Sequence, residues 1–151
     1  MQGLLKLASM ARRAGRINIA FMCLFLLQRT EDCVRLLVDA GRVPEAALFA
    51  RSYAPSLTSA AVADWKALLS GGSGSDRAAQ AIADPAEYPN LFESFGTSLE
   101  AERIFVGERD KGLPTAAQYL EAAPQMDLDL IELVKRMQEA QAQAQAQAQA
   151  P

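Results

Sequence analysis

The chain contains no histidine. That absence removes Ser-His-Asp and Cys-His catalysis, histidine metal sites and the ordinary switch near neutral pH. Cysteine is scarce: Cys23 and Cys33 are the two present, both inside apolar runs. They read as small buried hydrophobes. Nothing marks the chain as secreted, so reduced thiols are the default. Long apolar runs are also missing. The most apolar one, Ile17 to Leu27, is interrupted by Asn18 and falls well short of the roughly twenty residues a membrane span needs. The GGSGS stretch at 71–75 lacks the trailing Gly-Lys-Ser/Thr of a phosphate-binding loop and reads as a flexible connection. Position 2 is Gln, which excludes N-myristoylation. There is no nucleotide fingerprint, no metal-ligand cluster and no nucleophile with a base beside it. Every carboxylate and lysine sits where a solvated helix face accounts for it, so the expectation is no enzyme, no cofactor and no metal.

What is present points to helices. Half of the 151 residues are hydrophobic and 22% are charged, the composition of a globular domain with a real core. The net charge of -3 argues against general nucleic-acid binding. Charge is unevenly spread, with Lys6, Arg12, Arg13, Arg16 and Arg29 but no acid in the first thirty residues. An acid-free, arginine-rich, amphipathic start is also the pattern of a mitochondrial transit peptide. The simpler reading is a first helix with Leu4, Leu7, Ala8 and Ala11 inward.

The centre of the chain is the stretch from Thr30 to Tyr53. Thr30 is placed to N-cap a helix, with Glu31 and Asp32 at its positive end. Cys33, Leu36, Leu37 and Ala40 follow at the spacing of one buried face. Gly41 stops that helix, and Pro44 suits the first turn of the next. Ala46, Phe49, Ala50 and Tyr53 then repeat the pattern. Such a hairpin buries its faces only against neighbouring hairpins, as in a helical solenoid.

Upstream, Ile17 to Gln28 is apolar on most of its circumference and is expected to be buried on both sides. Downstream, Ser56 is a plausible cap for a helix over 57–69, in which Trp65, the single tryptophan, is a core anchor. A short helix is expected over 76–83. Asp84-Pro85-Ala86-Glu87 is in capping-box order and predicts one or two turns before Pro89. Further helices are expected over 98–107, from Pro114 with Ala117, Tyr119 and Leu120, and from Met126. Asp127 and Asp129, two apart on a helix, do not face each other and are no catalytic pair. From Gln138 the Ala-Gln repeat offers nothing large to bury, and frayed helix or disorder is expected. Tyr88, Leu91, Phe92 and Phe95 form an aromatic-rich cluster after a loop. They are the candidate partner-interface residues, with local core as the competing reading.

Two blocks, NIAFMCLFLLQRTEDCVRLLVDAGRVPEAALFARSYAPS (18–56) and ADPAEYPNLFESF (83–95), resemble the beta-prime subunit family of coatomer, the COPI vesicle coat. The similarity extends more loosely over 98–120 and back over 6–16. It implies an all-α, right-handed α-solenoid of stacked helical hairpins, TPR-like and partial, from the C-terminal solenoid region that follows the family's propellers. The organisation expected is a solenoid segment over 1–123, a terminal helix over 124–137 and an Ala-Gln tail over 138–151. The resemblance also implies a scaffold role in Golgi-to-ER and intra-Golgi transport. It implies the coatomer alpha subunit and other coatomer subunits as partners, an ARF-family GTPase indirectly, and peripheral association with Golgi membranes and coated vesicles from the cytoplasm. The family's two cargo-reading β-propellers have no counterpart here, so the chain is expected to be a fragment or a scaffold-only product. GGSGS stands where the family has a more charged stretch. The alternative is a generic TPR-like adaptor with a peptide groove lined by Arg12, Arg16 and Arg51.

Overall fold

The computed structural model describes residues 2–71, 76–112 and 129–148. Its described elements are all helical, with no strand among the described residues. The chain divides into two compact units, residues 1–93 and 94–151.

The first unit contains α1 (Gln2–Arg13), α2 (Ile17–Leu26), α3 (Thr30–Asp39), α4 (Val43–Tyr53), α5 (Thr58–Ser70) and α6 (Asp76–Gln80). Its first four helices follow one register. Gly15, Gln28 and Gly41 recur every thirteen residues, each in the left-handed region at φ +68°, +57° and +73°. After each comes an arginine whose N–H reaches back to the helix just ended. Arg16 donates to the Ala11 carbonyl at 2.8 Å, Arg29 to Leu24 at 3.0 Å and Arg42 to Leu37 at 2.9 Å. The left-handed residue closes the inner bond, as Gly41 does to Val38 at 2.9 Å. This double closure satisfies carbonyls that a helix end would otherwise leave unpaired. Each arginine then stands at the N-cap of the next helix, and its carbonyl accepts the first bond of that helix, from Ala20, Cys33 and Ala46 in turn.

This register moves Thr30 by one place. It is the first helical residue rather than the cap, the position held by Ile17 and Val43 in the neighbouring helices. The site is apolar, so the threonine is 4% exposed and its Oγ1 has no hydrogen-bond partner. Thr58 repeats the arrangement at the start of α5. There Leu57 rather than Ser56 holds the N-cap, after a short 3-10 turn over Pro55–Leu57.

Burial follows the same period. Ala20, Cys33 and Ala46 are all 0% exposed. These positions face the preceding helix, as the Cys33 thiol shows by donating to the Phe21 carbonyl at 3.8 Å. Small residues there let consecutive helices approach closely. Helices two apart also touch. Arg12 on α1 pairs with Asp39 on α3 at 2.6 Å. Arg42 beside α4 donates to Asn18 of α2 at 2.6 Å, and the Phe25 and Tyr53 rings meet at 5.4 Å. Consecutive and alternate neighbours together make the two-row stacking of an α-solenoid. The main core joins Val34, Leu37, Ala46, Ala47, Ala50, Ala61 and Val62, and Trp65 packs half-buried at its edge. Leu36, Ala11 and Ala20 form a second cluster. Three inward assignments change: Leu7, Ala40 and Tyr53 are exposed, and Val34 is buried instead.

Asp84 does not start a helix. Its Oδ1 accepts from Ser59 Oγ at 2.6 Å and from the Ala86 N–H at 2.9 Å, and its carbonyl accepts from Tyr88 at 2.9 Å. The result is one turn tied to α5, ended by Pro89, which begins a 3-10 turn over Pro89–Leu91.

The second unit contains α7 (Phe95–Asp110) and α8 (Leu130–Ala148). Val134 at 1% and Ala101 at 6% exposure are its buried apolar residues among those described. Asp129 N-caps α8, its Oδ1 accepting from the Ile131 and Glu132 N–H groups at 3.0 and 3.2 Å. The helix expected from Pro114, the start expected at Met126 and the boundary expected at 123/124 lie outside the described residues. The boundary expected at 137/138 falls inside α8. That helix continues through the Ala-Gln repeat to Ala148, because both residues are good helix formers.

Candidate interaction surface

Helix α2 carries no charged residue, yet it is not covered on both sides. Ala20 and Cys23 are buried and Phe21, Leu24 and Phe25 half-buried. Ile19, Met22 and Leu26 are 49%, 53% and 61% exposed. Their i, i+3, i+7 spacing places them on one stripe. On α4, Leu48 is 59% exposed and Tyr53 49%. A ladder of rings joins the two helices. Phe21 meets Phe49 edge-on at 5.1 Å, and Phe49 stacks on Tyr53 at 4.8 Å. Burying one such apolar side chain contributes roughly 1.5–3 kcal/mol, so the open stripe leaves several such terms unused.

Charged pairs occupy other parts of the surface. Asp32 lies between Arg29 at 2.5 Å and Arg35 at 3.3 Å. Arg42 holds Glu45 through two hydrogen bonds. That hydrogen-bonded pair keeps the Glu45 carboxyl below its usual range and raises Arg42. Exposed pairs of this kind contribute little stability.

No group of three or more His, Cys, Asp or Glu side chains that could hold a metal ion occurs among the described residues. Burial pushes the Cys33 thiol up to about 12, with Asp32 and then Glu31 adding to the effect. Cys33 therefore keeps its proton and is a poor nucleophile. A 180 Å³ depression between α3 and α5 is lined by Val34, Val38, Leu57 and Ala61, with Arg35, Asp39 and Asp64 at its rim. It is open and mostly apolar.

The four residues singled out from the sequence divide between the units. Tyr88 at 47% and Leu91 at 61% exposure lie in the first unit with Phe92, which is half-buried beneath the Arg51 guanidinium, 5.2 Å from its ring centre. Phe95 is half-buried at the start of α7, in the second unit. Two of the three arginines of the expected peptide groove have other engagements: Arg12 is paired with Asp39 and Arg51 lies over Phe92. Sequence reasoning missed Ile19, Met22, Leu26 and Leu48, all of them in helices it had placed correctly. The thirteen-residue spacing was the signal that could have found them.

The family model described as the COPA/B TPR domain matches residues 1–66. The coatomer subunit beta'-1 of Oryza sativa subsp. japonica is 48% identical over 137 residues, which is 91% of this chain and 15% of that protein. The coatomer subunit beta'-2 of Arabidopsis thaliana is 44% identical over 138 residues, 91% of this chain and 14% of that protein. The coatomer subunit beta' of Rattus norvegicus is 40% identical over 133 residues, 88% of this chain and 14% of that protein. The chain thus spans about 15% of the length of these relatives. No solved structure matches it.

Proposed function

We infer that this chain belongs to the coatomer beta-prime family, whose members it resembles over about nine-tenths of its length, and that it is a scaffold segment of the COPI vesicle coat. The observation that carries the reading is the match itself. A helical stack is similar over nine-tenths of its length to proteins named as coat subunits. Their names describe coat components and not enzymes. On this reading the segment works by binding the α-solenoid of the coatomer alpha subunit, within an assembly that includes the other coatomer subunits. It serves Golgi-to-ER and intra-Golgi transport and reaches Golgi membranes and coated vesicles peripherally, under an ARF-family GTPase. No described helix is long and apolar enough to cross a membrane, which suits attachment through the coat.

Tyr88, Leu91, Phe92 and Phe95 remain proposed partner contacts. The exposure of Tyr88 and Leu91 supports this, because neither is needed by the core around it. The test is affinity capture of the full chain on purified coatomer alpha subunit. A stable complex that survives gel filtration is expected. Failure of the folded chain, helical by circular dichroism, to bind alpha overturns the reading. Leu91→Glu separately weakens capture if the turn after Tyr88 contributes.

A further inference from the structure

The thirteen-residue register separates two kinds of exposed apolar side chain. Leu7 and Met10 on α1 are 46% and 51% exposed. Their register positions are held by Ala20, Cys33 and Ala46, and by Cys23 and Leu36, and all five are buried. This is the face by which each helix packs on the one before it. Leu7 and Met10 therefore need no partner of a different kind.

Met22 and Leu48 belong to the other kind. Their shared register position is exposed on all four helices, and α1 and α3 fill it with Ser9 and Arg35. The positions of Ile19 and Leu26 are likewise polar on those helices, held by Lys6 and Asp32 and by Arg13 and Asp39. The stack puts nothing over these positions, and further helices in the same register would not cover them either. Folding does not require apolar residues there, since α3 forms with Arg35. On α2 all three positions are apolar and point outward, away from the stack; on α4 only Leu48 is apolar, with Glu45 and Ser52 at the other two.

We propose that the outer face of α2 and α4 is a helix-docking groove for an amphipathic helix of the partner solenoid, one with an uncharged apolar stripe ending in a carboxylate. The inference rests on the coat reading above. Ile19, Met22 and Leu26 run along about two turns, roughly 10 Å of helix at 1.5 Å per residue. Leu48, at the matching register on the neighbouring helix, supplies the second wall. One apolar ridge on α2 with Leu48 beside it suits a single helix laid along α2. No charge interrupts α2 between its flanking arginines, so a charged residue on the middle of the occupant's stripe would be desolvated without a partner. At the N-terminal end stands Arg16, exposed and in no ion pair among the described residues. It adds to the positive end of the α2 dipole and draws a carboxylate to that end. An anionic lipid surface fits less well, because interfacial helices carry cations along their polar flanks, and the flanks of α2 are instead packed into the stack.

The test titrates the full chain against purified coatomer alpha subunit, using Met22→Glu, Leu48→Glu, the double variant, Arg16→Glu and Arg35→Ala. Each glutamate in the groove weakens binding about ten-fold or more, and the pair about a hundred-fold. Arg16→Glu weakens it several-fold, with the difference shrinking at high salt. Arg35→Ala, at the same register on the other row, leaves binding unchanged. All variants keep the wild-type circular dichroism, since the position already accepts Arg35. If wild type binds and the double variant binds equally, the groove is wrong and the coat reading stands. If folded wild type does not bind alpha, both fall. Self-association or capture by phosphatidylserine vesicles that wild type shows and the double variant loses, with alpha binding retained, would reassign the face to a second copy or a lipid surface and overturn the proposal.

Discussion

Replacing Gly41 by alanine isolates the cost of the left-handed turn on which the stack is built. Gly41 sits at φ +73°, and a Cβ added there meets nothing within 4 Å. Sterics with neighbouring groups therefore contribute nothing, and the penalty is confined to the backbone. Holding an L-residue in the left-handed region costs roughly 1–2 kcal/mol. Alanine also has fewer unfolded conformations than glycine, which returns about 0.4–1 kcal/mol. The net expectation is a loss of about 1 kcal/mol, with the N–H bonds of residues 41 and 42 kept. For a unit of this size that is a fall of roughly 4–8 °C in Tm. Urea unfolding followed by fluorescence of Trp65 reads it directly, because the single tryptophan packs against the core of the first unit. Gly15→Ala, at φ +68° with the same open surroundings, should lose a similar amount. A midpoint unchanged or raised in both variants would refute the claim that these residues hold the turns by conformation. A loss well beyond about 2 kcal/mol would mean that the turn opens and its closing hydrogen bonds break.

Leu36→Ala removes the largest fully buried side chain among the described residues and should cost about 2–5 kcal/mol, measured by the same urea titration. The raised Cys33 thiol predicts a pH effect with a definite sign. The unfolded thiol ionises near 9.0 and the folded one near 12, so the Cys33 contribution is complete below pH 9 and is lost as pH rises toward 12. Unfolding midpoints measured from pH 8 to pH 11 should fall less steeply in Cys33→Ala than in wild type. Asp129→Ala removes the acceptor for two N–H groups of α8 and should destabilise the second unit by about 1 kcal/mol, seen as earlier loss of helical ellipticity on heating. Gly107→Ala, inside α7 with open space around it, should stabilise that unit by roughly 0.5–1 kcal/mol in the same melt.

Much of the fold was legible because helix punctuation is local chemistry. Gly41 and Pro44 mark the turn between α3 and α4 in any sequence, and the alanines at 46 and 50 announce close helix packing. Gln28 announced nothing, since glutamine rarely adopts a positive φ. Only the register set by Gly15 and Gly41 shows why it does so here. Thr30 misled for the opposite reason. Threonine before two acids is a good cap in isolation, but the preceding arginine already closes the turn, and Thr30 is buried at the register position that Ile17 and Val43 hold on their own helices. Asp84 carried a helix-start signal that its bond to Ser59 and the approaching Pro89 reduce to one turn.

The candidate surface was the least legible part. Ile19, Met22 and Leu26 stand in an apolar run beside Ala20 and Cys23, and composition alone assigns them all to the interior. The sequence by itself determined that the chain is helical, where α3 turns into α4 and which family it resembles, because those properties rest on local propensity and residue identity. Only the tertiary structure decided which side of α2 meets α1, α3 and α4 and which side meets water. Burial is a property of the neighbours that arrive. One helix carries the same kind of residue on every side, and three neighbours cannot cover all of it.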